Sequence, residues 1–598
     1  MVAYKAPVED TKFILNEIVN IQKLTEFENF QEVTPDLVEA IVEEAAKFCE
    51  NEMLPLNLSG DHEGCTWKDG VVTTPKGFKE AHKLLGENGW VSVAGDPNYS
   101  GQGLPKTLSI AFTEFGSSSN ISLGIYEALT QGAALLLEKF ASDEIKELYL
   151  NKLNTGEWTG TMCLTEPQCG TDLGLIKTKA EPQKDGSYKV TGTKIFITGG
   201  EHDLADNIIH LVLAKLPDAP PGVKGISLFL IPKFMPKEDG SSGERNGVKC
   251  GSIEEKMGIH ASPTCVMNFD EATGYLIGEK HSGMSSMFVM MNSERVAAGL
   301  QGLALSEISY QVAREYAKER LQGRSISGVK CPDKPADPII YHPDVRKMLL
   351  TMKAFNEGGR ALAYFAAQKL DYLDHHKDPS VRQEADDFAA LMTPIIKAFF
   401  TDLGFECTNL GMQVLGGYGY IKEYGVEQFT RDARIAQIYE GANGIQALDL
   451  VGRKLPTGMG RLLRQFFHPV AKFIEENIEH EGIKHLVAPY AKAFTKLQQA
   501  TTVIAQRGLK NPDEAGAAST DYLRMFGFVA LGYMWLLMAK TSYEALKSGN
   551  LKSSKTLYTS KLKTARFFIY KMLPQAGSLF ISIMAGAEPL MDFELDEF

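Results

Sequence analysis

The sequence predicts a mainly α-helical protein with a β domain set into it. Three observations carry that reading. Up to about residue 158, apolar residues recur at three- and four-residue spacing, as in "TPDLVEAIVEEAAKFCENEM", which is the period of a helix with one buried face. From about 159 to 280 the texture changes to "YKVTGTKIFITGG", "NIIHLVLAKL" and "GISLFLIPKF", β-branched and aromatic runs bounded by Gly, Pro and Asp, as strands are. After about 281 the helical period returns and holds to the end of the chain.

Each element has its local reason. Thr34 can cap the first clear helix and Pro35 suits its first turn. "SGDHEGCTWKDGVVTTPKG" interrupts with turn residues around a short hairpin. "DAPPGVKG" and "PKEDGSSGERNG" are loops. "ERVAAGLQGLALSEISYQVAREYAKER" places Val296, Leu300, Leu303, Tyr310, Ala313 and Ala317 on one face of a long helix. "GGYGYIKEYG" is a Gly-rich break, and "LPTGMG" (455–460) is a linker. The expected domains are therefore 1–158 (helical), 159–280 (β), 281–455 (helical) and 461–598 (helical). The β segment covers something that the helices cannot enclose alone, and a flat cofactor is one candidate.

Composition bounds the function. Of 598 residues, 44% are hydrophobic and 23% charged, ordinary for a soluble globular protein of two to four domains. A net charge of −13 without a basic run disfavours nucleic-acid binding and leaves any anionic ligand to local cations. The N-terminus reads as neither signal nor transit peptide, and the C-terminus carries no lipidation or peroxisomal signal, so a cytoplasmic location is expected. The apolar run "MFGFVALGYMWLLMA" has 15 residues where a membrane span needs about 20; a buried helix is expected there, and no membrane association. The eight cysteines form no C-x-x-C pair, which fits free thiols in a reducing compartment and no metal site.

Four stretches carry chemistry. "CLTEPQCGTD" (163–172) and "GTKIFITGG" (192–200) set the hydroxyls of Thr165, Thr171 and Thr198 among glycines and apolar or aromatic residues. That composition suits one wall of a planar ring, and equally two strands with exposed threonines. "QVLGGYGY" (413–420) has paired glycines that let a backbone approach a phosphate, or simply turn; no G-x-G-x-x-G follows a strand. In "RDARIAQIYEGANGIQ" a helical run gives way at Glu440 into Gly441, Asn443 and Gly444. A surface glutamate needs no such setting, whereas a carboxylate working on a ligand does.

In this order the four stretches resemble the acyl-CoA dehydrogenase family over about 35–455. The residues beyond 460 resemble the C-terminal helical domain of its longer subgroup. Within that subgroup the chain is most similar to bacterial enzymes acting on 3-methylmercaptopropionyl-CoA. The resemblance implies a helical domain, a β-barrel or sandwich domain, a four-helix bundle and a further helical domain, with FAD as cofactor. It implies that Glu440 removes an α-proton from an acyl-CoA thioester while a hydride leaves Cβ for the flavin. An α-proton of a thioester is too weakly acidic for a free carboxylate, so the carbonyl must be hydrogen-bonded and water excluded. It further implies flavin contacts from Cys163, Thr165, Phe196 and Thr198. Substrate contacts are implied for Thr171, Arg295, Tyr439 and Gly441. Arg320, Gln413, Gly416 and Gly417 would hold the FAD of a neighbouring subunit, hence a homodimer.

Departures from the family pattern accompany the matches. "RLQGR" is a residue shorter than the usual R-x-x-F-G, which leaves the register of Gln322 and Arg324 open. Ala442 and Gly444 replace the commoner Thr and Gln, Cys169 replaces a small residue, and Gln428 replaces a cation. Glu294 matches the base of other branches and is the alternative base, or else a helix-surface or Arg-pairing carboxylate. Three readings remain: a dehydrogenase handing electrons to electron-transferring flavoprotein, an oxidase handing them to oxygen, and a non-catalytic flavoprotein. The acyl group is not legible; medium- and long-chain substrates stay open. The Met-rich "MSSMFVMMNSE" fits a thioether substrate or a plain helix core.

Overall fold

The computed structural model describes residues 3–237 and 239–598. Met1, Val2 and Glu238, the last within the loop expected at 236–247, lie outside the described residues. Packing divides the chain into two units: Lys47–Pro105 with Phe115–Ala297, and Met1–Ala46 with Lys106–Glu114 and Ala298–Phe598. Helices α1 (Lys106–Phe140) and α2 (Gly283–Glu319) contribute residues to both.

The first unit is built on seven strands: β1 (Trp158–Cys163), β2 (Lys179–Pro182), β3 (Tyr188–Thr198), β4 (Asn207–Lys215), β5 (Ile226–Pro232), β6 (Val248–Ile253) and β7 (Thr264–Ile277). β7 pairs with β3 along most of its length and with β5 at its end. β5 pairs with β4, β4 meets β2, and β2 pairs with β3. These ladders close on themselves, so the sheet is a small barrel. β4 and β5 are buried almost throughout, which is why their sequences are near-continuous apolar runs without alternation, with His210 and Ser227 enclosed among them. Cys163, Val190, Val212, Phe229 and Met267 belong to one of its apolar clusters. The expected hairpin is present at Thr66–Lys68 and Val71–Thr73. The loop expected after Pro236 contains a second one, Phe234–Pro236 against Ser242–Arg245. Asp239 turns the chain there by accepting from Ser241 N at 2.9 Å.

The second unit holds α3 (Pro343–His375), α4 (Pro379–Leu415), α5 (Asn443–Asp449), α6 (Pro512–Ser548) and α7 (Lys555–Phe567). Leu300, Leu303, Ala313 and Ala317 of the predicted α2 face are buried. A Cβ on Gly302 or Gly404 would overlap the facing helix backbone, so these glycines let α2 and α4 touch. The segment 320–342, expected within a helical region, is mostly loop. Pro332, Pro335 and Pro338 deny it helical hydrogen bonds. Asp337 organises it instead, accepting from Ser325, Lys330 and Cys331 N at 2.9, 3.0 and 2.8 Å.

A buried ionic cluster ties this unit together. Arg360 on α3 donates to Glu114 Oε1 at 2.8 and 2.6 Å, to Glu307 at 3.1 Å, and to Asp10. Lys561 on α7, fully buried, donates to Glu357 at 2.8 Å and to Asp10. The C-terminal helices are thus anchored by charge as well as by packing. Trp535 on α6 adds a bond to the Ala354 carbonyl at 3.0 Å. The 15-residue apolar run lies within α6, a helix of 37 residues that is long and apolar enough to cross a membrane; 83% of its apolar window is buried inside the protein.

Candidate active site

In the barrel unit the β3–β7 ladder slips by one residue. Lys194 faces Met267 and Ile197 faces Cys265, so Ile195 and Phe196 share a single partner position. At this bulge Phe196 takes φ +58° and the residue is 60% exposed. The left-handed region costs an L-residue about 1–2 kcal/mol, so a bulge of this kind re-aims a side chain at a cost. Ile195 N donates to Thr165 O at 2.9 Å, joining the bulge to the "CLTEPQCGTD" loop.

Glu166 is the post on which that loop is built. It accepts from Lys177 N (2.6 Å), Thr178 N (3.0 Å), Thr178 Oγ1 (2.6 Å) and buried Lys194 Nζ (2.9 Å). Burial pushes its carboxyl up, but the Lys194 charge and these donors outweigh burial and hold it down at about 2. Thr165 and Thr198 are half-buried close to Phe196 in this framework, and Thr171 is exposed on the turn beyond. Cys163 differs from expectation. Its side chain is enclosed, 3.4 Å from Thr161 Oγ1 and 3.9 Å from His210 Nδ1, and burial pushes the thiol up to about 12. The strand turns it inward, so only its backbone is left for a cofactor.

Sequence reading missed Glu166. Glu294 of this unit, the alternative base, is not on a helix surface. It is 6% exposed, and its Oε1 lies where a Cβ on Gly132 would come within 2.7 Å. A side chain at Gly132 would therefore displace the Glu294 carboxylate and press on Met290 Cγ at 3.0 Å. Arg295 is equally enclosed, over the Phe288 ring at 5.7 Å and bonded to Asn292 at 3.3 Å.

In the helical unit Arg320, Gln413, Gly416 and Gly417 come together in one cavity of about 450 Å³, with Gln322 and Tyr418. The Arg320 guanidinium lies over the Tyr418 ring at 5.6 Å. Gly416 takes φ +61°, and a Cβ on it or on Gly417 would meet nothing within 4 Å. A cation, an amide and side-chain-free backbone around one cavity fit the nucleotide end of a dinucleotide. Of the two residues whose register was open, Gln322 lines the cavity, whereas Arg324 is used by the loop, bonding Cys331 O, Lys334 O and Asp337.

Glu440 stands between a 3₁₀ turn (Ile435–Gln437) and α5, with φ +57°, followed by Gly441 at +81°. Two successive left-handed residues reverse the chain. Its carbonyls are held from outside the turn: Gln446 Nε2 donates to Glu440 O at 3.1 Å and Lys397 Nζ to Gly441 O at 2.8 Å. Tyr439 OH donates to Gln301 Oε1. Sequence reading missed Gln301, Lys397 and Gln446. The only signal for Lys397 was a charge inside the apolar "TPIIKAFF".

Fold and site define a flavin-dependent dehydrogenase architecture, and comparison with known proteins specifies it. The acyl-CoA dehydrogenase N-terminal, middle and C-terminal domain models match residues 35–157, 161–272 and 281–455, and an acetyl-CoA dehydrogenase C-terminal-like model matches 466–594. The chain is 41% identical to the 3-methylmercaptopropionyl-CoA dehydrogenase of Ruegeria pomeroyi, over 96% of this chain and 97% of that one. It is 34% identical to a butyryl-CoA dehydrogenase of Syntrophomonas wolfei, over 96% and 95%. The fold is that of the Bacillus anthracis acyl-CoA dehydrogenase solved with FAD, at TM-score 0.75 and 21% identity, covering 98% of this chain and 92% of that one. The chain belongs to the acyl-CoA dehydrogenase family. It is an oxidoreductase, and its cofactor is FAD.

Proposed function

We propose that this enzyme oxidises the Cα–Cβ bond of a short or medium acyl-CoA, such as 3-methylmercaptopropionyl-CoA, with Glu440 as the base. The observation that carries the assignment is the backbone of Glu440. A non-glycine residue held left-handed, with its own carbonyl and the next one bonded by Gln446 and Lys397 from two helical segments, keeps its side chain in one direction. The turn offers a carboxylate and a backbone N–H from the same residue. The N–H steadies the thioester carbonyl, which acidifies the α-proton, and the carboxylate removes it. Gly441 keeps the approach clear. Bound FAD supplies the acceptor for the β-hydride. Thr165, Phe196 and Thr198 hold its ring end, while Arg320, Gln413, Gly416 and Gly417 hold the adenine end of a neighbouring subunit's FAD in a homodimer. Thr171, Arg295 and Tyr439 serve the substrate. Electron-transferring flavoprotein is the assigned acceptor.

The substrate proposal rests on the Ruegeria relative, and butyryl-CoA is the second reading because of the Syntrophomonas one. Anaerobic flavin bleaching with butyryl-, octanoyl-, palmitoyl- and 3-methylmercaptopropionyl-CoA tests it. Fastest bleaching by the thioether substrate is expected; a preference for palmitoyl-CoA sinks the proposal. Peroxide formed at the rate of flavin turnover would point to an oxidase.

A further inference from the structure

Lys397 is fully buried on α4, four residues beyond Thr393 and three beyond Pro394 inside the helix. A lysine in such a place needs acceptors. Its ammonium donates to Gly441 O and to Asn443 Oδ1, both at 2.8 Å. Asn443 is itself fastened to α4: its Nδ2 reaches Asp402 Oδ1 at 2.6 Å, Thr401 Oγ1 at 2.9 Å and Ala398 O at 3.2 Å. Gln437, on the other side of Glu440, donates to the same Asp402 Oδ1 at 2.7 Å. Both flanks of the Glu440 turn are therefore fixed to one stretch of α4, residues 397–402.

The consequence is geometric. The Gly441 carbonyl lies one peptide beyond the unit that joins Glu440 to Gly441, and φ at Glu440 and Gly441 is +57° and +81°. With that carbonyl freed, the torsions at Gly441 can relax and the turn can carry Glu440, side chain and N–H, to a new direction. Lys397, at 2.8 Å, is the closer of two donors to the Gly441 carbonyl; Gln446 Nε2 reaches that carbonyl at 3.4 Å and the Glu440 carbonyl at 3.1 Å. We infer that Lys397 is a positioning residue for Glu440: through the Gly441 carbonyl and Asn443 it sets the direction from which the base meets the substrate. The inference rests on the reading of Glu440 as the base.

The test compares Lys397→Met, Lys397→Gln, Asn443→Ala and Glu440→Gln as FAD-loaded enzymes. Anaerobic single-turnover flavin reduction by butyryl-CoA gives the rate, and titration with crotonyl-CoA, the product, gives binding. A base misplaced by about 1 Å loses on the order of 10²-fold in rate. Lys397→Met is therefore expected to slow reduction about that much with product affinity kept within threefold. Lys397→Gln, which retains a donor, is expected to fall between. The Lys397→Met/Asn443→Ala double variant is expected to be no worse than Lys397→Met, because both act through one clamp. Reduction by Lys397→Met within twofold of the parent overturns the inference, as does a loss of rate matched by an equal loss of product affinity. If Lys397→Met does not fold, Asn443→Ala is read by the same criteria. An active Glu440→Gln variant sinks the base assignment itself; an inactive one beside an undiminished Lys397→Met sinks only the role of Lys397.

Discussion

Replacing Glu440 by Gly and by Ala separates strain from chemistry at one position. Both variants remove the carboxylate, so both should lose turnover by the ~10²–10⁴-fold typical of a missing general base. They differ in one carbon atom. At φ +57° the Cβ of Ala meets the steric cost of the left-handed region, about 1–2 kcal/mol. Gly escapes that cost and gives up about 0.5–1 kcal/mol of backbone entropy. The Gly variant should therefore be the more stable by roughly 0.8 kcal/mol, although in a helix interior Ala wins by about as much. Urea unfolding of the two FAD-loaded variants, compared as midpoints at equal slope, measures the difference. A higher midpoint for Ala would refute the claim that Glu440 carries strain, and full turnover in either variant would refute its role.

Three further outcomes follow from the same contacts. Lys561→Met takes one of two cations from each of Asp10, which keeps Arg360, and Glu357, which keeps Lys353, so it should cost less than the ~3–5 kcal/mol of a fully unpaired buried charge; adding Asp10→Asn should recover part of the lost thermal midpoint. Glu166 has a folded pKa near 2 against about 4.3 when unfolded. It stabilises the fold above pH ~4.3, and that contribution is lost as pH falls through about 2; Glu166→Gln should flatten the stability–pH curve across this window, measured by denaturant midpoints. Arg320→Ala removes the cation of the Gly416–Gly417 cavity, and the variant should release FAD on desalting while the reloaded enzyme binds product normally.

The alternation of texture along the chain was legible because burial dictates it. β4 and β5 are apolar but for Asn207, His210, Lys215 and Ser227 since both faces are covered, and α2, buried all round from 298 to 309, shows a one-sided period only in its last turns, where Ala313 and Ala317 are buried and Glu315, Lys318 and Glu319 exposed. Closure of the barrel was not legible. It depends on β2 meeting β4 at a single pair, Lys179 with Lys215, and on β7 changing partners, which no local pattern encodes. The Phe234–Arg245 hairpin was hidden by the Pro and Gly–Ser content of its turn. Glu440 could be singled out because a helix stops there. Phe196 could be matched, but its exposure could not be foreseen, since the bulge exists only once β3 is registered against β7. Lys397 escaped because a lysine in an apolar helix usually runs its stem along the surface; its partner Gly441 lies 44 residues away.

Left-handed backbone by itself does not mark a site. Asn20, Asp69 and Ser100 also have positive φ, yet short polar side chains take that region cheaply in turns. Ile259, Glu271, His281 and Met459 show that bulkier residues enter it elsewhere too. Distant support is not confined to the site either, since Glu271 N donates to Thr191 Oγ1 at 3.3 Å and His281 N to Ser227 Oγ at 2.9 Å. What marks Glu440 is that the next carbonyl is held by Lys397, a fully buried side chain, and what marks Phe196 is that its bulge is tied to the Thr165 loop braced by Glu166 and Lys194. A strained residue with only local contacts can relax by shifting its loop. One whose neighbouring peptide is bonded to a rigid helix cannot, and its side chain keeps one direction. That is the property a base needs toward a proton, and a ring toward a flat partner. It also implies that relieving the strain without touching the side chain, by freeing the clamp at Lys397, should cost rate before it costs binding.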